Sequence, residues 1–221
     1  MKFVISDKIR AAAPDYKALI VTADVENIAT SDALWQQLND LGAKVHADYA
    51  MEQVNKREAI AATRRAYKAC GKEPNRYRPS AEALMRRMVK QMELYRTLTV
   101  IDLINLLSVE TGHSIGGFDA DNIVGDTLTL GVGEEGEPYE AIGRGMLNIA
   151  GMPVWRDSVG GIGTPTSDND RTKLSEDTRH LLMIVNMYGM EDDIEHVKAR
   201  ACELLTAFAA AKNIATTLVS Q

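Results

Sequence analysis

The chain has 221 residues, 45% of them hydrophobic and 25% charged, with a formal net charge of −6. This suits a soluble globular protein with an ample core, in one large domain or two small ones. Cys70 and Cys202 form no CxxC pair, which argues against a disulfide framework and a thiolate metal site.

The N-terminus, MKFVISDKIR, has no long apolar core after its lysine, so it does not read as a signal peptide. Tyr16 to Val25 (YKALIVTADV) is rich enough in Val, Ile and Thr to form a strand. Ser31 is placed to cap a helix carrying Leu34, Trp35, Leu38 and Leu41, with Gly42 as its stop. Asn55 with Glu58 forms a capping-box variant. The helix behind it puts Ile60, Thr63, Tyr67 and Cys70 on one face and stops at Gly71. Pro79 opens another helix, with Leu84, Met85 and Met88 inward and Arg86, Arg87 and Lys90 outward.

Residues 52 to 96 hold twelve Lys/Arg against five acids, in a chain that is acidic elsewhere. A basic segment of this kind fits either a phosphate footprint or a pair of solvated helix faces. Within it, Arg78 is placed either to pair with Glu82 or to reach a phosphate.

The stretch from 99 to 119, TVIDLINLLSVETGHSIGGFD, runs from an apolar helix into a Gly-Gly turn. Asp102, Asn105 and Ser108 recur every three residues and share a helix face. Glycines in the turn would let backbone approach a ligand.

Thirteen of the sixteen glycines fall between residues 112 and 163. They separate short β-like runs at 126–130, 139–142, 146–149 and 153–155, the pattern of many short strands joined by tight turns. Leu181 to Tyr188 fits a buried strand or a helix equally. From Asp192 an amphipathic helix carries Ile194, Val197, Ala201, Leu204, Leu205 and Phe208 on its face. Helices, then sheet, then a closing helix indicate an α+β fold with a layered sheet core.

Several motifs have alternative readings. GVGEEG (131–136) matches a dinucleotide loop by letter only. Three glutamates and Pro138 occupy the place where a helix N-terminus should meet a pyrophosphate. The four histidines have no ligand spacing. The carboxylates of SDND (167–170) fit a turn or cap better than a cation loop. PTSDNDRT (165–172) concentrates hydroxyls, acids and an arginine, as either a ligand loop or a satisfied surface turn. No nucleophile elbow or Cys/His pair supports a hydrolase with a side-chain nucleophile.

The run VIDLINLLSVETGHSIGGFD resembles the VDxxNxxxxxxGxPxxxxD signature of the tRNA-editing module of the bacterial phenylalanyl-tRNA synthetase beta chain. RYRPSAEALMRRM, GEPYEAIGRGMLNI and GTPTSDNDRT resemble free-standing proteins built on that module, and the resemblance covers roughly residues 74 to 190. It implies a layered β-sheet sandwich core flanked by helices that binds the aminoacyl end of tRNA. In the synthetase the module hydrolyses tyrosine wrongly attached to tRNA for phenylalanine. The signature's asparagine falls on Asn105 and its closing aspartate on Asp119. Gly116 stands at the family's histidine position and Ile104 at the threonine preceding the asparagine. No residue is assigned to the family's tyrosine-reading glutamate. The aminoacylation domain is absent from the resemblance, so no ligase activity is implied.

The chain is expected to be a single domain, 1–221, with a helical N-terminal part with one strand (1–73), an editing-like core (74–190) and a closing C-terminal helix (191–221). The expected function is that of a cytoplasmic tRNA-binding protein, either a trans-editing deacylase or a non-catalytic module binding tRNA or a small amino-acid-like ligand. No cofactor, metal or membrane is called for. Arg78, Arg86 and Arg87 are expected to meet RNA. Asn105, Gly116, Gly117, Phe118, Asp119, Glu137, Tyr139, Thr166, Ser167, Asp168, Arg171 and Thr172 are expected to converge on one cleft.

Overall fold

The computed structural model describes residues 1–189 and 194–220. The fold is α+β, with two four-stranded sheets and helices layered against one of them. The first sheet has the order β10-β2-β9-β3, formed by Lys212–Ser220, Lys17–Asp24, His180–Met187 and Ser114–Asp119. All its neighbours pair antiparallel. The second has the order β1-β4-β7-β8, formed by Lys2–Ile5, Thr127–Val132, Pro153–Arg156 and Gly161–Gly163. There β1 runs parallel to β4. A small hairpin pairs β5 (Glu140–Ala141) with β6 (Gly145–Met146).

Two apolar layers hold this together. Ala18, Ile20, Leu182 and Ile184 of the first sheet meet Leu128, Leu130, Trp155 and Ile162 of the second. The opposite faces of the same strands, carrying Leu19, Val21, Met183 and Val185, pack under four helices. These are α2 (Asp32–Asp48), α4 (Ser80–Val89), α5 (Thr99–Thr111) and α6 (Ile194–Phe208). Strand β9 is thus buried on both faces, which explains its continuous apolar run and why periodicity left strand and helix equally open. The short α1 (Asp7–Ala12) and the helix α3 (Glu58–Ala69) pack Ile9, Ala62 and Ala66 onto the sandwich core.

Several local expectations are corrected. Ser31 does cap α2, accepting from Leu34 N, but the helix passes through Gly42 to Asp48. Burial of Val45 in the next turn outweighs the propensity cost of one mid-helix glycine. Asn55 does not cap α3. It lies in a single 3₁₀ turn, and Arg57 occupies the capping position. The Gly116–Gly117 segment is no surface turn but the middle of β3, a fully buried edge strand. The N-terminal part holds two strands, β1 and β2, and the C-terminal part adds β10 after its helix. The expected start of that helix at Asp192 lies outside the described residues.

Candidate functional site

Helix α5 is fixed at both ends. The buried Asp102 carboxylate accepts from Thr30 Oγ1 (2.5 Å), Thr97 N and Thr97 Oγ1 (both 2.9 Å), closing the helix start. At the other end Arg57 donates to the Val109 and Glu110 carbonyls. Gly112, at φ +82°, provides the left-handed C-cap. Ser108 Oγ donates to His113 O at 2.7 Å. Of the three polar residues on this face, only Asn105 has no side-chain hydrogen bond to another described residue. It is half-buried and lines a cavity of about 240 Å³.

That cavity has one wall from α5 (Ile101, Ile104, Asn105, Ser108) and one from α4 (Ser80, Leu84). Ile115 and Gly117 of β3 form its floor, Ile142 overhangs it, and the loop from Thr164 to Leu174 completes it. The loop is ordered by its own hydroxyls. Thr164 Oγ1 donates to Ser167 O at 3.0 Å and accepts from Thr166 N and Ser167 N. Asn169 caps the following 3₁₀ turn, accepting from Arg171 N at 2.9 Å. The SDND segment is therefore a cap, with Asp170 held by Lys173 at 2.9 Å.

Asp168 projects from this loop into the seam between the edge strands β3 and β8. Its Oδ2 accepts from Gly117 N at 3.1 Å. A Cβ on Gly116 or Gly163 would lie 3.2 or 3.0 Å from its Oδ1, and 2.6 or 2.5 Å from Phe118 Cζ. Glycine is required at both positions because the phenyl ring and the carboxyl fill the space a side chain would need. Asp168 is half-buried, with its carboxyl packed between β3 and β8 at the cleft surface. Burial pushes its pKa up to about 7, against the opposing pull of the Gly117 N–H.

The structure brings Asn105, Gly117, Ser167 and Asp168 together in this pocket, with Gly116 directly behind the Asp168 carboxyl. The other expected residues lie elsewhere, each with a packing role or a different set of contacts. Phe118 is buried in the sandwich core. Asp119 accepts from Asp121 N (3.1 Å) and Thr178 Oγ1 (2.8 Å). Glu137 pairs with Arg156 through two bonds of 2.7 Å. Burial pushes the Glu137 carboxyl up, but the Arg156 bonds and the Glu134 N–H outweigh it and hold it below its usual range. Tyr139 is buried and its hydroxyl donates to Ser167 O at 2.8 Å, bracing the loop from behind. Thr166 shares a hydrogen bond with the Tyr67 hydroxyl at 2.8 Å. Arg171 donates to Asn122 O (2.9 Å) and Asp157 (2.8 Å), outside the pocket lining. Thr172 is fully buried.

A second, open cleft of about 370 Å³ lies alongside. Arg76, Arg78, Arg86, Arg87, Lys90 and Arg144 line it, with no acidic residue among the described residues of its lining. Arg78 does not pair with Glu82. The fully buried Glu82 carboxylate instead takes Arg64 Nη1 and Arg86 Nε, each at 2.8 Å. Arg87 donates to Glu93 O at 2.5 Å and stacks over the Tyr95 ring. The two cavities share walls. Ala83 faces the cleft and Leu84 the pocket, while Ile142 overhangs the pocket and Arg144 the cleft. Sequence reading missed Arg144 because it comes from the glycine-rich hairpin, far in sequence from the basic segment.

Residues 62–220 match the family model described as the B3/4 domain, so the chain belongs to the B3/4-domain family. This is a phenylalanyl-tRNA synthetase beta-subunit-type domain, in line with the resemblance of residues 99–119. The match begins before residue 74, so the family's segment reaches back into α3. An N-terminal fragment of the phenylalanyl-tRNA synthetase beta-subunit from Pyrococcus horikoshii is similar in structure, at 12% identity and a TM-score of 0.49. The similarity covers 100% of this chain and 54% of that one, so this chain spans about half the length of the fragment. No curated protein matches the chain.

Proposed function

We propose that this protein takes the aminoacylated 3′ end of a tRNA and removes a wrong or non-protein amino acid from it in the cytoplasm. The observation that carries this reading is the shared wall between the two cavities. A cleft lined by six cations suits successive phosphates. The pocket across α4 is small, apolar-walled and carries a few convergent polar groups, which suits one aminoacyl group. Family membership supports the same substrate class.

An aminoacyl ester is already activated, so its hydrolysis needs a held water and a stabilised oxyanion more than a strong base. The water oxygen attacks the ester carbonyl, the bond to the ribose oxygen breaks, and the proton ends on the ribose hydroxyl. The Gly117 N–H is occupied by Asp168, so it does not serve the oxyanion. Asn105, at the pocket wall with no side-chain hydrogen bond to another described residue, is free to donate to the carbonyl or to hold the water.

A second reading, a non-catalytic module binding the same end or a small amino-acid-like ligand, is favoured by one observation. Gly116 occupies the family's histidine position, and Phe118 and Asp168 fill the space a side chain there would need. A deacylation screen over a panel of mischarged tRNAs separates the two readings. Hydrolysis above the uncatalysed rate, lost in Asn105→Ala, is the expected result. Tight binding with no hydrolysis across the panel would leave only the second reading.

A further inference from the structure

The pocket's charge balance is incomplete. Among the described residues that line it, Asp168 is the only carboxylate and Lys173 the only cation. Lys173 Nζ is turned to Asp170, at 2.9 and 3.1 Å. The Asp168 carboxyl therefore has one backbone donor on Oδ2, and its Oδ1 sits between two glycines with no hydrogen-bonding partner among the described residues. A desolvated carboxylate with one neutral donor is costly to ionise unless a cation reaches it.

We propose that the bound ligand itself supplies that cation: the pocket selects a protonated amine, whose nitrogen pairs with Asp168 while its hydrocarbon part lies against Leu84, Ile101, Ile104 and Ile142. This rests on the reading that the pocket receives an aminoacyl group. The amine is then either the α-ammonium that every aminoacyl ester carries or the side-chain ammonium of a lysine-like residue. In both cases the geometry excludes acyl groups blocked at that nitrogen.

The titratable groups facing Asp168 are few. Lys173 lies on its own loop and is held by Asp170. Tyr139 lies behind it from the β5 side, and burial, with Asp168 nearby, pushes its hydroxyl up so that it stays neutral. The residues contributed by α4, α5, β3 and β8 at this point are uncharged. Amine affinity should thus follow the ionisation of Asp168 alone.

The test uses isoamylamine and its neutral isostere isoamyl alcohol as probes, with binding to the full chain followed by calorimetry from pH 5 to pH 8. Isoamylamine should bind at pH 8 and weaken about tenfold by pH 6 and about tenfold again by pH 5. Isoamyl alcohol should bind weakly and without pH dependence. Asp168→Asn should lose the amine preference while keeping its fold, since the amide oxygen still accepts from Gly117 N. Leucinamide and Nα-acetyl-lysinamide then identify the source: the first binds if the α-ammonium is read, the second if the side chain is. Equal binding of isoamylamine and isoamyl alcohol, or equal amine binding by wild type and Asp168→Asn, would overturn the amine inference and leave the aminoacyl reading standing. If none of the four probes binds, both fail together.

Discussion

The Gly117 N–H donates to Asp168 Oδ2 at 3.1 Å, tying the edge strand of one sheet to the loop that follows the edge strand of the other. The pocket floor depends on that link and on the absence of side chains around it. A Cβ on Gly117 would lie 2.5 Å from Ile104 Cδ1, the movable end of a side chain. A Cβ on Gly116 would meet the rigid Phe118 ring at 2.6 Å. Gly116→Val is therefore expected to destabilise the fold by about 1–3 kcal/mol. Gly117→Val should cost less stability but close the pocket by displacing Ile104. Urea denaturation and probe binding on the two variants check the contrast; equal effects on both readouts would contradict it.

Glu82 has no solvent exposure and holds two guanidinium groups, those of Arg64 and Arg86. Removing it leaves two partly buried cations without their carboxylate, Arg64 keeping only the neutral Pro74 O and Asn75 Oδ1 among the described residues. Glu82→Ala should lower stability by about 3–5 kcal/mol, the cost of breaking a buried pair from one side. Chemical denaturation measures this directly. The same geometry means that Arg86→Ala weakens the fold as well as the cleft, so loss of RNA binding in that variant is ambiguous.

The cleft is better probed with Arg78, Lys90 and Arg144, which line it and make no ion pair with another described residue. If they meet phosphates, each alanine substitution should weaken tRNA binding and flatten the log–log salt dependence by about one unit. Filter binding between low and moderate salt reads both. Unchanged slopes would return these residues to a solvated face.

Asp168 also links stability to pH. Its folded pKa, about 7, is raised above the ordinary carboxylate value by burial. The folded state therefore binds the extra proton, and the stability this contributes is full at about pH 4 and is lost as pH rises through 7. Asp168→Asn carries no such charge. Relative to wild type it should gain stability between pH 5 and pH 8, on the order of 2–4 kcal/mol. Melting curves of both proteins across that range test the sign; a variant that loses ground as pH rises would contradict it.

What the sequence revealed, and what it did not, follows from where the information lies. Ser31, β2 and the face of α6 were legible because caps and periodicity are local signals. The β1 strand is four residues long and pairs in parallel with Thr127–Leu130, a partner no local pattern announces. The β10 strand, KNIATTLVS, is an edge whose Ile214 and Val219 are only half-buried and whose Leu218 is exposed, so it lacks the regular apolar alternation that marks a half-buried strand. Gly116 and Gly117 read as a turn because glycine usually permits unusual backbone. Here they are needed for the opposite reason: straight strand backbone with a ring, a carboxyl and an isoleucine pressed against it. Asn105 stands out as a polar residue on an apolar helix, and Ser167 and Asp168 as part of a loop dense in hydrogen-bonding groups. Asp119, Glu137 and Arg171 carried the same signal but spend it on caps and ion pairs, a distinction that only tertiary contacts make.

The central claim is that one aminoacylated end occupies both cavities, the amino acid in the pocket and the phosphates in the basic cleft. The most direct measurement is amide chemical-shift mapping with a non-hydrolysable amide-linked aminoacyl analogue of a CCA trinucleotide. The account predicts perturbations at Gly117, Asn105, Ser167 and Asp168, continuing across Ala83 and Leu84 to Arg78, Lys90 and Arg144. The unacylated trinucleotide should perturb the cleft but not the pocket. Shifts confined to another surface, or identical maps with and without the aminoacyl group, would contradict it.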